Sequence, residues 1–205
     1  MAIVDADAAR GAGWPILDLT SAFLSGGATL MQLRAKGAPG GWLFDTASAI
    51  VALAHQANAR VIINDRADIA RLSGADGVHV GQDDLGPALV RPMVGEKAMV
   101  GFSTHTREQV DAAVGQPVDY VAIGPVFDTR TKQAGYSAIG LAGVREAADA
   151  TRAAGLPLVA IGGFTLESAP DVVGAGADSV AVISDLLVTG NPEARVRAYL
   201  ERLTV

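Results

Sequence analysis

Apolar and polar positions alternate along this chain on two length scales. Short runs rich in Val, Ile and Ala recur at residues 2–5, 29–33, 60–64, 77–80, 99–103, 120–123, 157–161 and 179–182, and each reads as a β-strand. Longer Ala- and Leu-rich stretches at 14–25, 42–57, 68–73, 85–94, 107–114, 141–154, 166–174 and 192–203 read as helices between them. Helix starts are marked chemically: Thr106 precedes Glu108 and Gln109, Thr165 precedes Glu167 and Ser168, and Asn191 precedes Pro192. Eight strands, each followed by a helical stretch, predict an α/β chain closed into one compact (β/α)8 TIM barrel over residues 1–205. The competing open, doubly wound sheet would carry a Gly-rich fingerprint after its first strand, but Asp5 leads into Ala-Asp-Ala-Ala-Arg-Gly. At 205 residues the chain is shorter than the ~250 typical of the fold, so tight loops and no lid domain are expected. The first strand begins at Ala2, which makes it either very short or shortened at its N-terminal edge.

The polar residues concentrate where these strands end. Along Met31-Gln32-Leu33-Arg34-Ala35-Lys36 a period of two puts Gln32, Arg34 and Lys36 on one side and Met31 and Leu33 on the other. The third strand ends in Asn64 and Asp65, and the fourth is followed by Asp83 and Asp84. Adjacent strands would bring Asp65 and Asp84 together, and two hard oxygen ligands with little else suit Mg²⁺. Equally, Asp65 could cap the next helix or pair with Arg66, and Asp84 could cap the helix near Leu85. Ser103 ends strand five, and strand six runs into a loop bearing Thr129, Arg130, Thr131 and Lys132. That loop suits an anion, although it lacks Walker spacing. Gly162 and Gly163 follow strand seven, and Ile183 and Ser184 follow strand eight, where this fold commonly binds phosphate. Of the histidines, His55 falls in an apolar helix and His79 inside a strand, which reads as structural, whereas His105 either lines the mouth or bonds a loop. No Ser, His and Asp arrangement argues for a hydrolase triad.

Composition narrows the chemistry. Half the residues are hydrophobic and mean hydropathy is +0.31, enough for one sizeable core. No apolar run reaches the ~18 residues of a membrane span and no leader pattern opens the chain, so a cytoplasmic protein without membrane contact is expected. The absence of cysteine removes disulfides, thiolate nucleophiles and thiolate-bound metals. A net charge of −6 argues against a nucleic-acid surface, while a few converging cations can still hold a small anion.

Taken together, Gln-Leu-Arg-x-Lys at 32–36, Ile-Asn-Asp-Arg at 63–66, Ala-Asp-Gly-Val-His-Val-Gly-Gln-Asp-Asp at 75–84, Thr-x-Thr-Lys at 129–132, Ala-Ile-Gly-Gly at 160–163 and Val-Ile-Ser at 182–184 resemble the thiamine phosphate synthase family. The resemblance runs from about Thr29 to Leu187 in family order. It implies a transferase that joins 4-amino-5-hydroxymethyl-2-methylpyrimidine diphosphate to a thiazole phosphate, or its carboxylate, releasing diphosphate. It further implies Asp65 and Asp84 as ligands of a Mg²⁺ cofactor, Arg34, Lys36, Asn64, Ser103 and Lys132 as a diphosphate clamp, and Gln32 as a pyrimidine contact. Thr129, Thr131, Gly163, Ile183 and Ser184 would hold the thiazole phosphate. Asp128 stands where the family commonly has proline, and residues 133–140 depart from the usual continuation. Two other readings use the same barrel: the related thiazole tautomerase, whose branch typically has a histidine in the loop after strand six where Gly124 is here followed by Pro125, and a non-catalytic phospholigand-binding barrel. The partners expected are small-molecule substrates, and a small barrel of this kind is compatible with a homo-oligomer.

Overall fold

The period of two within each strand separates an inner core from an outer one. The computed structural model describes residues 1–128 and 136–203. Its strands are β1 (Ala2–Asp5), β2 (Leu30–Arg34), β3 (Arg60–Asn64), β4 (Gly77–Val80), β5 (Met99–Thr104), β6 (Tyr120–Ile123), β7 (Leu158–Ile161) and β8 (Ser179–Ala181). All pair in parallel, each with its neighbour in sequence. Closure comes from a parallel bridge between Ala2 and Val182, in which the Ile3 N–H donates to Val182 O at 2.9 Å and the Val182 N–H to Met1 O at 3.1 Å. The sheet is therefore a closed barrel, and the open doubly wound alternative is excluded.

Met31, Leu33, Val61, Ile63, Val78, Val80, Val121 and Ile123 face outward into the main apolar core beneath the helices. Ile3, Tyr120, Ala122, Val159, Ala181 and Ile183 fill the barrel interior. Each fully buried aliphatic side chain contributes roughly 1.5–3 kcal/mol, so one residue of register slip would exchange the two sets and abolish both cores.

The helices are α1 (Ala6–Gly11), α2 (Ile16–Ser25), α3 (Gly40–Gln56), α4 (Ala67–Ser73), α5 (Pro87–Val94), α6 (Arg107–Ala113), α7 (Gly140–Ala153), α8 (Ala169–Gly174) and α9 (Pro192–Leu203), with a 3₁₀ turn at Ser184–Leu186. Thr106 caps α6 through the Gln109 N–H, and Asn191 caps α9 through the Ala194 N–H. The predicted helix at 166–174 starts later, because Thr165 and Ser168 each accept the other's backbone N–H and close a separate turn first. Helix α1 was not predicted. Its six residues bury only Ala9, too little for an apolar stripe to show, and its one sequence signal is Asp5 as N-cap.

At the opposite end of the barrel from the polar strand ends, one device recurs. Asp76, Asp119 and Asp178 immediately precede β4, β6 and β8, and each turns a carboxylate back to the preceding strand. They accept the N–H groups of Val61, Val100 and Leu158 at 2.8, 2.7 and 2.8 Å. Asp76 also meets His55 Nε2 at 3.1 Å, and Asp119 pairs with Arg91, so His55 is structural but lies at the surface. An N–H in the first two positions of a strand needs an acceptor where its neighbour has run out, and these aspartates supply a charged one. Replacing Asp178 with Ala should lower unfolding free energy by about 1–3 kcal/mol, with the urea m value unchanged; an unaltered denaturation midpoint would remove the clamp from the account of stability.

Candidate active site

Apart from Tyr120 at the start of β6, the inward-facing polar side chains of the site lie toward the C-terminal ends of the strands, and the first four strands supply most of them. Gln32, Arg34 and Asn64 share with His79, Tyr120, Ile161 and Ile183 the wall of one interior cavity of about 20 Å³, enough for a single water. Gln32 is buried, with Nε2 at 3.9 Å from Met1 Sδ. Asn64 and His79 are register partners on adjacent strands.

Beneath them runs a buried chain. Ser103 Oγ lies 2.7 Å from His79 Nε2, His79 Nδ1 lies 2.9 Å from the Tyr120 hydroxyl, and the two rings stack with centroids 5.5 Å apart. Burial first, and the charge of Asp119 second, push the Tyr120 phenol above its ordinary range, so it is a neutral hydrogen-bonding group. Glycine is required at 101, because a Cβ there would overlap both the Tyr120 ring and His79 Nδ1. The Ser103 carbonyl accepts from Gln82 Nε2 at 2.7 Å, which ties the loop after β4 to β5.

Charge gathers at the rim. Arg34 Nη1 is 2.5 Å from Asp5 Oδ2, Asp5 being buried and the Arg34 side chain 11% exposed, and Arg34 Nε is buried with no hydrogen-bond partner among the described residues. Lys36 Nζ is 3.4 Å from Asp65 Oδ2 and over half exposed. Asp65 does not pair with Arg66, which bonds Asp68, and α4 has no side-chain cap. Asp84 does not cap α5 either; its Oδ2 accepts the Gly81 N–H at 2.7 Å and closes the turn that follows β4.

Asp84 lies near enough to act on the Asp65 carboxyl. Burial, then Asp84, raise the Asp65 pKa, while Lys36 acts in the other direction. Asp65 is also held in the left-handed region at φ 64°, an uncommon conformation for a residue with a Cβ. A close pair of carboxylates with an all-oxygen donor set fits a Mg²⁺ ion, which takes one or two carboxylates and leaves its remaining positions to water or ligand. No group of three or more His, Cys, Asp or Glu gathers among the described residues, so a thiolate- or imidazole-based centre has no support there.

On the far side of the mouth, the loops after β6 and β7 are bonded together. Val126 and Phe127 N–H groups donate to Ile161 O and Gly162 O, each at 3.0 Å. Gly163, at φ 74°, has no room for a Cβ against the carbonyls of Phe127 and Asp128, so this glycine serves the loop contact whatever else it binds. Ile183 lines the cavity, and Ser184 opens the 3₁₀ turn at the surface. That turn is anchored by buried Asp185, which accepts three bonds from Arg195 and one from the Tyr199 hydroxyl. His105 bonds a loop: Nδ1 is 2.5 Å from Gly124 O, and the ring stacks on Tyr136 at 4.0 Å. Thr129, Thr131 and Lys132 lie outside the described residues.

The structure thus brings Gln32, Arg34, Asn64 and Ile183 to one cavity, joins Ser103 to it through His79, and sets Lys36, Asp65 and Asp84 on the rim above. Sequence reasoning missed Asp5 and Tyr120. An acidic residue ending β1 at the same height as Arg34 was the available signal for Asp5; Tyr120 looked like any apolar strand residue.

Because folding raises the Asp65 pKa, its ionisation costs stability as pH rises through that raised value and costs nothing below the unfolded value. Metal-free Asp65→Asn should therefore melt higher than the parent at pH 7, by roughly 2 °C for under ~1 kcal/mol, and the advantage should vanish in acid. Scanning calorimetry with chelator present reads this, and a lower midpoint at pH 7 would contradict the repulsion.

The family model described as thiamine monophosphate synthase matches residues 1–186. A thiamine-phosphate synthase of Chlorobium luteolum is 41% identical over 184 residues, covering 90% of this chain and 85% of that protein. Another, from Moorella thermoacetica, is 38% identical over 194 residues, covering 95% of this chain and 91% of that one. The solved thiamine phosphate pyrophosphorylase from Pyrococcus furiosus superposes with a TM-score of 0.88 at 27% identity, over 98% of this chain and 93% of the other. With the family model covering most of its length and relatives near 40% identity, the chain belongs to the thiamine monophosphate synthase family.

Proposed function

We propose that this protein is a thiamine phosphate synthase, a transferase that joins 4-amino-5-hydroxymethyl-2-methylpyrimidine diphosphate to a thiazole phosphate and releases diphosphate. The observation that carries the reading is the convergence of Gln32, Arg34 and Asn64 on one cavity beneath a rim bearing Lys36, Asp65 and Asp84. Neither a tautomerase nor a passive phosphate binder needs that combination.

In the reaction, the bond between the pyrimidine methylene and the diphosphate oxygen breaks and its electron pair leaves with diphosphate. The electron-rich aminopyrimidine supports the cationic methylene, and the thiazole nitrogen lone pair forms the new C–N bond. Little acid–base chemistry is required, so the side chains act by holding and by charge. Gln32 contacts the pyrimidine. Arg34, Lys36, Asn64, Ser103 and Lys132 clamp the diphosphate, and cations fixed in advance stabilise the leaving group more as its charge develops than before. Thr129, Thr131, Gly163, Ile183 and Ser184 hold the thiazole phosphate, keeping both substrates in attack geometry and water out. Mg²⁺ held by Asp65 and Asp84 would supply further positive charge toward the leaving diphosphate.

Incubating the protein with both substrates, with and without Mg²⁺, and reading thiamine phosphate by fluorescence after oxidation tests the proposal. Product that depends on Mg²⁺ is expected; intact substrates with either thiazole tautomer would return the chain to the tautomerase or binding readings. Asp84→Asn should shift the Mg²⁺ activation curve to concentrations at least tenfold higher, roughly 1.4 kcal/mol in metal affinity. An unchanged titration would move the ligand elsewhere.

A further inference from the structure

Asp5 has no part in the clamp described above, yet it is among the most deeply buried charged residues in the molecule, with 3% of its surface exposed. It ends β1 directly opposite Arg34, its register partner at the end of β2. Both carboxylate oxygens are committed. Oδ1 accepts the N–H groups of Asp7 at 3.1 Å and Ala8 at 2.8 Å, which locks the carboxylate to the first turn of α1, and Oδ2 accepts from Arg34 Nη1. No other carboxylate pairs with Arg34 among the described residues.

We propose that Asp5 is the positioning residue for Arg34: through the short helix it caps, it fixes the guanidinium in the orientation that receives the substrate's diphosphate. The inference rests on the function proposed above. A guanidinium is a rigid plane with five donors, so holding one terminal nitrogen to an immobile oxygen fixes the directions of the rest. Arg34 is among the residues of the cavity wall, and its Nε is buried without a partner among the described residues. A buried donor left unsatisfied is costly, and an incoming phosphate oxygen is an acceptor of the required kind. The same pairing supplies the counter-charge that a buried arginine needs before ligand arrives. On this account α1, which contributes little to the core, exists to hold one carboxylate still.

Asp5→Asn keeps the cap on α1, because asparagine caps a helix as well as aspartate does, and removes only the charge that faces Arg34, so the kinetic split between the two substrates, and not stability, reads the positioning. Three proteins, Asp5→Asn, Arg34→Ala and the double variant, are compared with the parent for kcat, for KM toward each substrate, and for melting midpoint. The expected result for Asp5→Asn is a loss of roughly tenfold or more in kcat/KM for the pyrimidine diphosphate, with KM for the thiazole phosphate unchanged and a melting midpoint lowered by the lost counter-charge but still above the assay temperature. The double variant should be no worse than Arg34→Ala alone, since both changes remove one unit. Parental kinetics in Asp5→Asn, additive losses in the double variant, or equal weakening toward both substrates would overturn the assignment. A second readout does not depend on turnover: calorimetric binding of inorganic diphosphate should weaken by the same factor in Asp5→Asn and Arg34→Ala. If the parent makes no thiamine phosphate, the proposed function fails on its own, and equal diphosphate binding by all the proteins would still dispose of the positioning role.

Discussion

Everything at this site follows from the scarcity of room inside a closed barrel of eight strands, whose interior is just wide enough to be filled by the side chains that point into it. An inward residue here must either pack or find a hydrogen-bond partner at once. The lower interior packs, with Ile3, Val159 and Ala181 among its residues. Higher up, the inward positions become Gln32, Asn64, His79 and Ser103, and the geometry is set by mutual satisfaction. The Ser103, His79 and Tyr120 chain is the clearest case, and it demands a glycine beside it because the Tyr120 and His79 rings already occupy the available volume. The polar groups near the mouth are held by a fully paired floor, which is how a site of long side chains becomes rigid without a large scaffold.

The two ends of the barrel solve opposite problems. At the N-terminal end, Asp76, Asp119 and Asp178 each turn a carboxylate oxygen to a backbone N–H, so the donor that each faces is already in place. At the C-terminal end the carboxylates are left in tension: Asp65 sits in a left-handed conformation, partly buried, beside Asp84. Aspartates of one chain are thus stabilising at one rim and costly at the other. The difference is whether a donor is already in place, as expected where the bottom face serves stability and the top face serves chemistry.

Much of this was legible in the sequence because strand periodicity and strand ends are local properties. All eight strands were found within a residue or two, and the period of two correctly separated Gln32 and Arg34 from Met31 and Leu33. What could not be read were pairings between residues far apart in sequence. Asp5 and Arg34 are 29 residues apart, and His79 and Tyr120 are 41 apart. Neither Asp nor Tyr is unusual at a strand end or start. The separate Thr165–Ser168 turn was missed for a different reason: the same residues also make a good helix start, and only the reciprocal bonds decide between the two.

Charge arrangement ties the pieces together. In a chain of net charge −6, Arg34 is the one cation that lines the interior cavity among the described residues, and Asp5 cancels its charge while leaving part of its donor surface unused. A buried arginine without Asp5 would pay the desolvation of an isolated charge, and one with all its donors satisfied could accept nothing further. The pair as built is neutral enough to fold and incomplete enough to bind. Lys36 and Asp65 repeat the arrangement in a looser form at 3.4 Å, with the lysine over half exposed, where a pair is worth less and can exchange partners readily. The tighter pair, with a donor left over, suits the proposed reception of an anion, and the looser pair can rearrange around it.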